Sequence, residues 1–301
     1  MLDVRRLLLL RDLAVLGTIA AVAKARSFST AAVSQQLSTL EREAKAPLLD
    51  RTTNRVVLTP AGEALVAHAE RLTVELDEID ATLARDRGEP SGTLRLAVFP
   101  SAARAVVPEA LAKMSVRYPG IEIQLTEELP ASSVPRLRAG EFDVVLRHSY
   151  DLLPATEVEG VRQVRVHTEP MWLVRPPGAA VPGDARALEH HHWVSDQPGS
   201  ECREVLVRWC AAAGFVPRIR HQVSDFAVAL SLVAAGGGHA LIPRLGVRAL
   251  ADGVVAGPVP GPALGRRVFA AHREGSGRHP LVAAAVEVFT EVFTEVFTDL
   301  D

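Results

Sequence analysis

The sequence predicts an α/β protein in two parts: a helical head that ends near residue 91, and a body in which strands and helices alternate. Three observations carry this expectation. Leucines recur at helical spacing from Leu7, and a heptad pattern runs from Leu65 to Leu83. From Leu94 onward, short apolar runs alternate with helix-length segments, the pattern of a parallel sheet covered by helices. Charge is also split along the chain. Nine Lys/Arg against five Asp/Glu over residues 1–58 leave that segment at +4 and the remainder at −7, within a total of −3. A basic head on an acidic body is the asymmetry expected when only the head meets a polyanion.

A chain of 301 residues exceeds one modest core and points to two or three folding units. Its 48% hydrophobic content supports burial on that scale. It has no run of about 18 uncharged apolar residues and no basic-then-apolar leader, so a cytoplasmic protein without a membrane partner is expected. Richness in Ala, Arg, Gly and Val fits a GC-rich bacterial genome. Cys202 and Cys210 fall in one helix-like segment, about 12 Å apart at about 1.5 Å per residue, too far for a disulfide. They read as ordinary buried thiols, with redox sensing as the alternative.

In the head, Leu7, Leu10, Leu13 and Leu16 form a first helix that Gly17 can end in a left-handed cap. Thr18 and Ser29 offer N-cap oxygens for a second helix through Ala25 and a third beyond it. In the third, Val33, Leu37, Leu40 and Ala44 form a narrow buried stripe. Ala31, Ser34, Gln35, Ser38 and Arg42 project opposite it, and Ser29 and Thr30 open the helix. A slim face of this composition suits the DNA major groove: Gln, Ser and Arg address base edges and alanine can meet a thymine methyl. The run Asp50 to Leu65 then reads as a polar turn, a short β-branched strand, Thr59 as N-cap and Pro60 at the first helical position. That hairpin wing presents Arg51, Asn54 and Arg55 as further DNA contacts. The seam Leu65, Ala69, Leu72, Leu76, Ile79 and Leu83 is a dimerisation pattern, and the segment from Arg87 to Gly92 a linker.

The order helix, helix-turn-helix, wing, Leu-Thr-Pro-Ala-Gly-Glu and long helix resembles the LysR-type transcriptional regulators, and the body extends the likeness over nearly the whole chain. Four positions depart from the family pattern. Ser29-Thr30-Ala31 stands where Ser-Gln-Pro is common, Gln35 replaces a frequent arginine, and Lys45 replaces a helix-ending glycine. The resemblance implies a winged helix-turn-helix over 1–59, a dimerisation helix and hinge over 60–91, and a periplasmic-binding-protein-like (type 2) effector domain over 92–301. Its first lobe is expected at 92–163 and 267–301, its second at 164–266. It also implies promoter DNA, a small-molecule effector, a dimer or tetramer of the chain itself, and RNA polymerase as partners, with no cofactor.

In the body, the expected strands are Leu94 to Val98, Ile121 to Leu125 and Asp143 to Leu146, with one helix from about Ala102 to Arg117. Ligands of open α/β sheets sit at strand C-termini beside helix N-termini. The cleft positions that the resemblance implies for the effector are Ser101, Ser132 or Ser133, Arg147 or His148, Ser195 to Ser200, and Ser224 to Phe226. Ser101 and Ser224 have an alternative reading as plain N-caps. Arg147 with helix N-termini points to an anionic effector, a surface arginine being the alternative. His190, His191 and His192 lack a partner at ligand spacing, so a metal is not expected. Gly236 to Gly238 reads as a helix stop rather than a nucleotide loop. The repeat from Val286 keeps Val288, Val292 and Val296 beside Phe289, Phe293 and Phe297, packing first on lobe one, with the last turns open to another subunit.

A ligand-responsive DNA-binding regulator is therefore expected. The alternative is a solute-binding or sequestering protein whose head only dimerises, disfavoured by the basic head. An enzyme is not expected, because no nucleophile, base and orienting group emerge at workable spacing.

Overall fold

The computed structural model describes residues 1–50, 56–86, 89–154, 157–247 and 254–298. In the head, α1 (Val4–Leu16) ends at Gly17 in the left-handed conformation. The helices α2 (Ile19–Ala25) and α3 (Thr30–Ala44) begin at Thr18 and Ser29, whose hydroxyls accept from the Ala21 and Ala32 amides. Those amides have no partner within the first turn, which is why a short hydroxyl side chain sits there. Val33, Leu37 and Leu40 of α3 close on Leu10 and Leu13 of α1 and Val22 of α2, all buried. Beside them Asp12, wholly buried, accepts from Arg11 and from Arg26 at 2.6 Å each, and Arg11 reaches Thr73 at 2.7 Å.

A short ladder of β1 (Leu49–Asp50) and β2 (Val57–Leu58) follows, with Leu49 opposite Leu58. The expected wing contacts Arg51, Asn54 and Arg55 lie between them, outside the described residues. The Thr-Pro-Ala-Gly run starts α4 (Pro60–Arg85). The Thr59 hydroxyl accepts from the Gly62 amide at 3.1 Å and donates to the Pro47 carbonyl at 2.8 Å. A Cβ on Gly62 would lie 2.3 Å from the Leu48 carbonyl oxygen, so only glycine lets α4 approach this closely.

The body begins with β3 (Gly92–Val98), α5 (Pro100–Ala105) and α6 (Val107–Arg117). The single helix expected here is broken at Val106, because Pro108 has no N–H for the carbonyl of the preceding turn. Then come β4 (Ile121–Glu127), α7 (Pro130–Arg138), β5 (Val144–Tyr150) and β6 (Val161–Arg175). Next are β7 (His192–Ser195), α8 (Glu201–Ala212), β8 (Arg218–Gln222), α9 (Phe226–Ala234) and β9 (Ala240–Pro243). The chain closes with β10 (Val255–Pro258), β11 (Gly265–Arg273) and α10 (Pro280–Thr298).

Lobe one holds strands in the order β4, β3, β5, β11, β6, with β3 parallel to both its neighbours and β11 antiparallel to β5 and β6. The far half of β6 enters lobe two, where Met171 to Arg175 pair with β9 and β10. The parallel pair β7 and β8 joins through a Trp193–His239 bridge. The pairing changes partner between Pro170 and Met171, and the chain returns at Gly265. The boundaries expected at 163/164 and 266/267 are corrected accordingly. One unbroken strand carries the first crossover, with no turn residue to mark it.

The last turns of α10 differ from expectation too. Val296 and Phe297 are buried, and Phe297 stacks on His167 of β6 at 3.8 Å instead of facing another subunit. Its acidic side pairs with α6, through Lys113 to Glu291 and Glu295 at 2.6 Å and Arg117 to Glu287 at 2.9 Å. Gly238, at φ 138°, lies where a Cβ would meet the His192 carbonyl at 2.4 Å, so this glycine run ends α9 and brings the chain against β7.

Candidate functional site

On α3 the buried stripe turns the opposite face outward. Thr30, Ala31, Gln35 and Arg42 are exposed, whereas Ser34 and Ser38 lie half-buried on its flanks. Ser29 is committed as the N-cap. Thr39, not singled out in the sequence, donates to the Gln35 carbonyl at 3.0 Å and accepts from Arg42 at 2.9 Å, which holds that guanidinium along the helix. The other flank is tied inward: Arg6 donates to Gln36 at 2.8 Å and pairs with Glu43. The outward strip is therefore slim, polar and anchored from behind.

Along α4 the expected seam divides. Leu65 packs against the head core and Ala69 is buried within it. Leu72, Leu76, Ile79 and Leu83 remain exposed, from 38% to 56%. The reverse face is docked on the body: Asp77 pairs with Arg273 at 2.8 Å, Glu70 with Arg138 at 2.6 Å, and Gly275 meets the Val74 backbone so closely that a Cβ would sit 2.2 Å from its carbonyl. The long helix is thus held against the body along one face and leaves an apolar face outward.

Between the lobes lies a cavity of about 810 Å³, within the usual range for small-molecule sites. It sits at the C-terminal ends of β3, β5 and β7 and the first turns of α7, α8 and α9, as open α/β sheets place ligands. Ser101, Arg147, His148, Ser200, Ser224 and Phe226 border it. Ser132, Ser133 and Ser195 do not, and these expectations are corrected. Because α7 begins at Pro130, Ser132 falls within its first turn, where its hydroxyl donates back to the Leu129 carbonyl at 3.1 Å, and Ser133 is fully buried. Ser195 is buried at the end of β7, its carbonyl accepting from the Val223 amide. The cap readings also shift: Phe99, not Ser101, precedes α5, and Asp225, not Ser224, caps α9 at 2.6 Å from the Ala227 amide.

The residues that sequence reasoning missed are charged. Arg266, 1% exposed, donates to Glu169 at 2.6 Å and to the Ser101 hydroxyl at 3.2 Å, with its guanidinium 4.9 Å over the Phe99 ring. The other Glu169 oxygen accepts from the Leu245 amide at 2.6 Å, tying lobe two to the pair. An acid within the apolar alternation of β6 was the available signal. Burial pushes the His148 ring below its ordinary value, offset in part by Glu201 at 3.3 Å, while Arg266 and Arg147 push it further down. Cys202 also borders the cavity, and burial pushes its thiol up to about 12. Among the described residues, no three His, Cys, Asp or Glu are grouped to hold a metal ion, and no helix is long and apolar enough to cross a membrane.

Residues 4–63 match the family described as bacterial regulatory helix-turn-helix protein, lysR family, and residues 87–294 match the LysR substrate binding domain. A probable hydrogen peroxide-inducible genes activator of Mycobacterium avium is 30% identical over 291 residues, spanning 88% of this chain and 89% of its own. The transcriptional regulator IlvR of Caulobacter vibrioides is 30% identical over 258 residues, spanning 76% and 83%. Among solved structures, the oxidised form of Corynebacterium glutamicum OxyR has the same fold at a TM-score of 0.54 and 23% identity, covering 99% of this chain and 94% of that one. Full-length CbnR in complex with its target DNA does so at 0.55 and 22%, covering 97% and 100%. With both halves of the sequence matched, the chain belongs to the lysR family of bacterial regulatory helix-turn-helix proteins, and it is a DNA-binding transcriptional regulator with an effector-binding domain.

Proposed function

We propose that the protein reads promoter DNA with Ala31, Gln35 and Arg42, associates through Leu72, Leu76, Ile79 and Leu83, and changes its DNA binding when a small molecule fills the interlobe cleft. The observation that carries this reading is the exposed polar strip of α3, set opposite a fully buried stripe. Effector control then follows from ligand affinity that differs between two lobe arrangements.

Footprinting of the purified protein on DNA upstream of its own gene tests the reading. Gln35→Ala is expected to shift sequence preference, each lost base contact being worth about 1–3 kcal/mol. Arg55→Ala should weaken binding to all sequences alike, and Ser101→Ala should alter the effector dose curve at unchanged DNA affinity. Equal losses on all sequences for both DNA variants would remove Gln35 from base reading.

A second reading comes from the peroxide-responsive relative and from Cys202 at the cavity wall. Peroxide attack needs a thiolate, and burial holds Cys202 as the neutral thiol, with Asp196 adding to that effect. We therefore favour a reversibly bound ligand. Treating the protein with hydrogen peroxide at pH 7 should leave Cys202 unmodified by mass spectrometry for far longer than a free thiol. Rapid stoichiometric oxidation would reverse the preference.

A further inference from the structure

We propose that the cleft ligand is a zwitterion, an α-amino acid with an apolar side chain, its carboxylate held by lobe one and its ammonium by lobe two. This rests on the reading of the cleft as the effector site. Among the described residues, the charges bordering the cavity are sorted by lobe. Arg104 of α5, Arg147 of β5 and Arg266 of β11 all belong to lobe one. Asp196, Glu201 and Asp225 all belong to lobe two. Arg266 carries Glu169 as its own counter-ion, and Arg104 and Arg147 stand beside it on the same wall.

Two charged pairs cross between the walls among the described residues. Arg104 reaches Asp225 at 3.4 Å with both side chains half exposed, and His148 reaches Glu201 at 3.3 Å. Exposed pairs of the first kind contribute little, so a ligand replaces them at small cost if it satisfies both charges. A plain anion, the expectation from Arg147 alone, would face Glu201 and Asp225 in a partly desolvated cleft. A plain cation would face Arg147, which is 6% exposed. A molecule bearing both charges on one carbon fits walls that come within ion-pair distance of each other.

Helix ends follow the same sorting. The N-terminus of α7, on lobe one, has no side-chain cap, and since Pro130 lacks an N–H and the Ser132 and Ser133 amides donate to the Leu129 carbonyl, the Ala131 amide is the one its first turn offers a carboxylate. That of α9, on lobe two, is already occupied by the Asp225 carboxylate. Burial pushes the Arg147 guanidinium below its ordinary value, and Glu201 restores only part of that. Phe99, Leu129, Val134, Val158, Phe226 and Leu245 supply the apolar surface for the side chain.

The test is isothermal titration of the full-length protein with L-valine, L-leucine, L-isoleucine, L-methionine, L-phenylalanine and L-tryptophan, each beside its analogue lacking the amine and its analogue lacking the carboxylate. At least one amino acid is expected to bind, with both one-charge analogues about ten- to a hundredfold weaker. Glu201→Gln should weaken the amino acid but not the amine-free analogue, and Ala131→Trp, which fills the cleft mouth from an exposed position, should block binding. Binding by none of the six amino acids, or equal binding by the amine-free analogue, overturns the zwitterion. Equal affinity in Ala131→Trp would instead overturn the cleft as the site. A tight amine-free analogue that Ala131→Trp blocks leaves the cleft standing and removes the amino acid alone.

Discussion

Arg266 and Glu169 are cross-strand partners on β11 and β6, one rung from the point where the chain leaves lobe one. Both are essentially inaccessible to water, and their hydrogen bonds reach Ser101 on one side and the Leu245 amide on the other. A buried ion pair adds little over an apolar pair of the same volume, whereas breaking one leaves a charge in a poorly solvating interior. Glu169→Gln is therefore expected to destabilise the body by about 3–5 kcal/mol. Urea unfolding followed by circular dichroism measures this, and an unchanged midpoint would refute the buried-charge argument.

At the scale of the element, α4 divides its surface between two tasks. Glu70, Val74 and Asp77 bind it to the body, and Leu72, Leu76, Ile79 and Leu83 point away. An apolar row of this length is unusual on a monomer surface, and it is the face through which we propose the chains associate. Burying each such side chain is worth about 1.5–3 kcal/mol, so Leu76→Asp with Ile79→Asp is expected to dissociate the oligomer while the helical signal stays. Sedimentation velocity reads the first outcome and circular dichroism the second. An oligomer that survives both substitutions would place the interface elsewhere. The heptad spacing was legible in the sequence, but it did not say that Leu65 and Ala69 would be consumed by the head, since that depends on where α1 lies.

Across the whole molecule, histidines tie stability to pH. His167 of β6, stacked on Phe293 and Phe297 of α10, is pushed down to about 4 by burial first and by Arg244 and Arg266 after it. His239 is likewise pushed down to about 4, by burial, then His191 and Arg175. Unfolded histidine titrates near 6.5, so between about 6.5 and 4 the unfolded chain binds more protons than the folded one. Stability should thus fall as pH drops through that window and stay level above it. Urea midpoints at pH 7.5 and pH 5 provide the measurement, and His167→Phe, which keeps the stacking ring, should flatten part of the slope. Equal midpoints at both pH values in the native sequence would contradict the assignment.

By itself the sequence determined the head almost element by element, because caps, helical stripes and the Thr-Pro-Ala-Gly start are local: Thr18, Ser29, Thr59 and Gly62 act on atoms within about one turn or on an adjoining strand. It also determined the alternating body and several residues of its cleft, since strand ends and helix starts follow from local punctuation. Only the tertiary structure decided where the lobes divide, because β6 crosses between them without a break. It alone brought Arg266 to Glu169, residues far apart in the chain that meet by strand pairing. And it alone set three arginines on one wall of the cleft against three carboxylates on the other, a pattern that arises from folding two separate sheets toward one space.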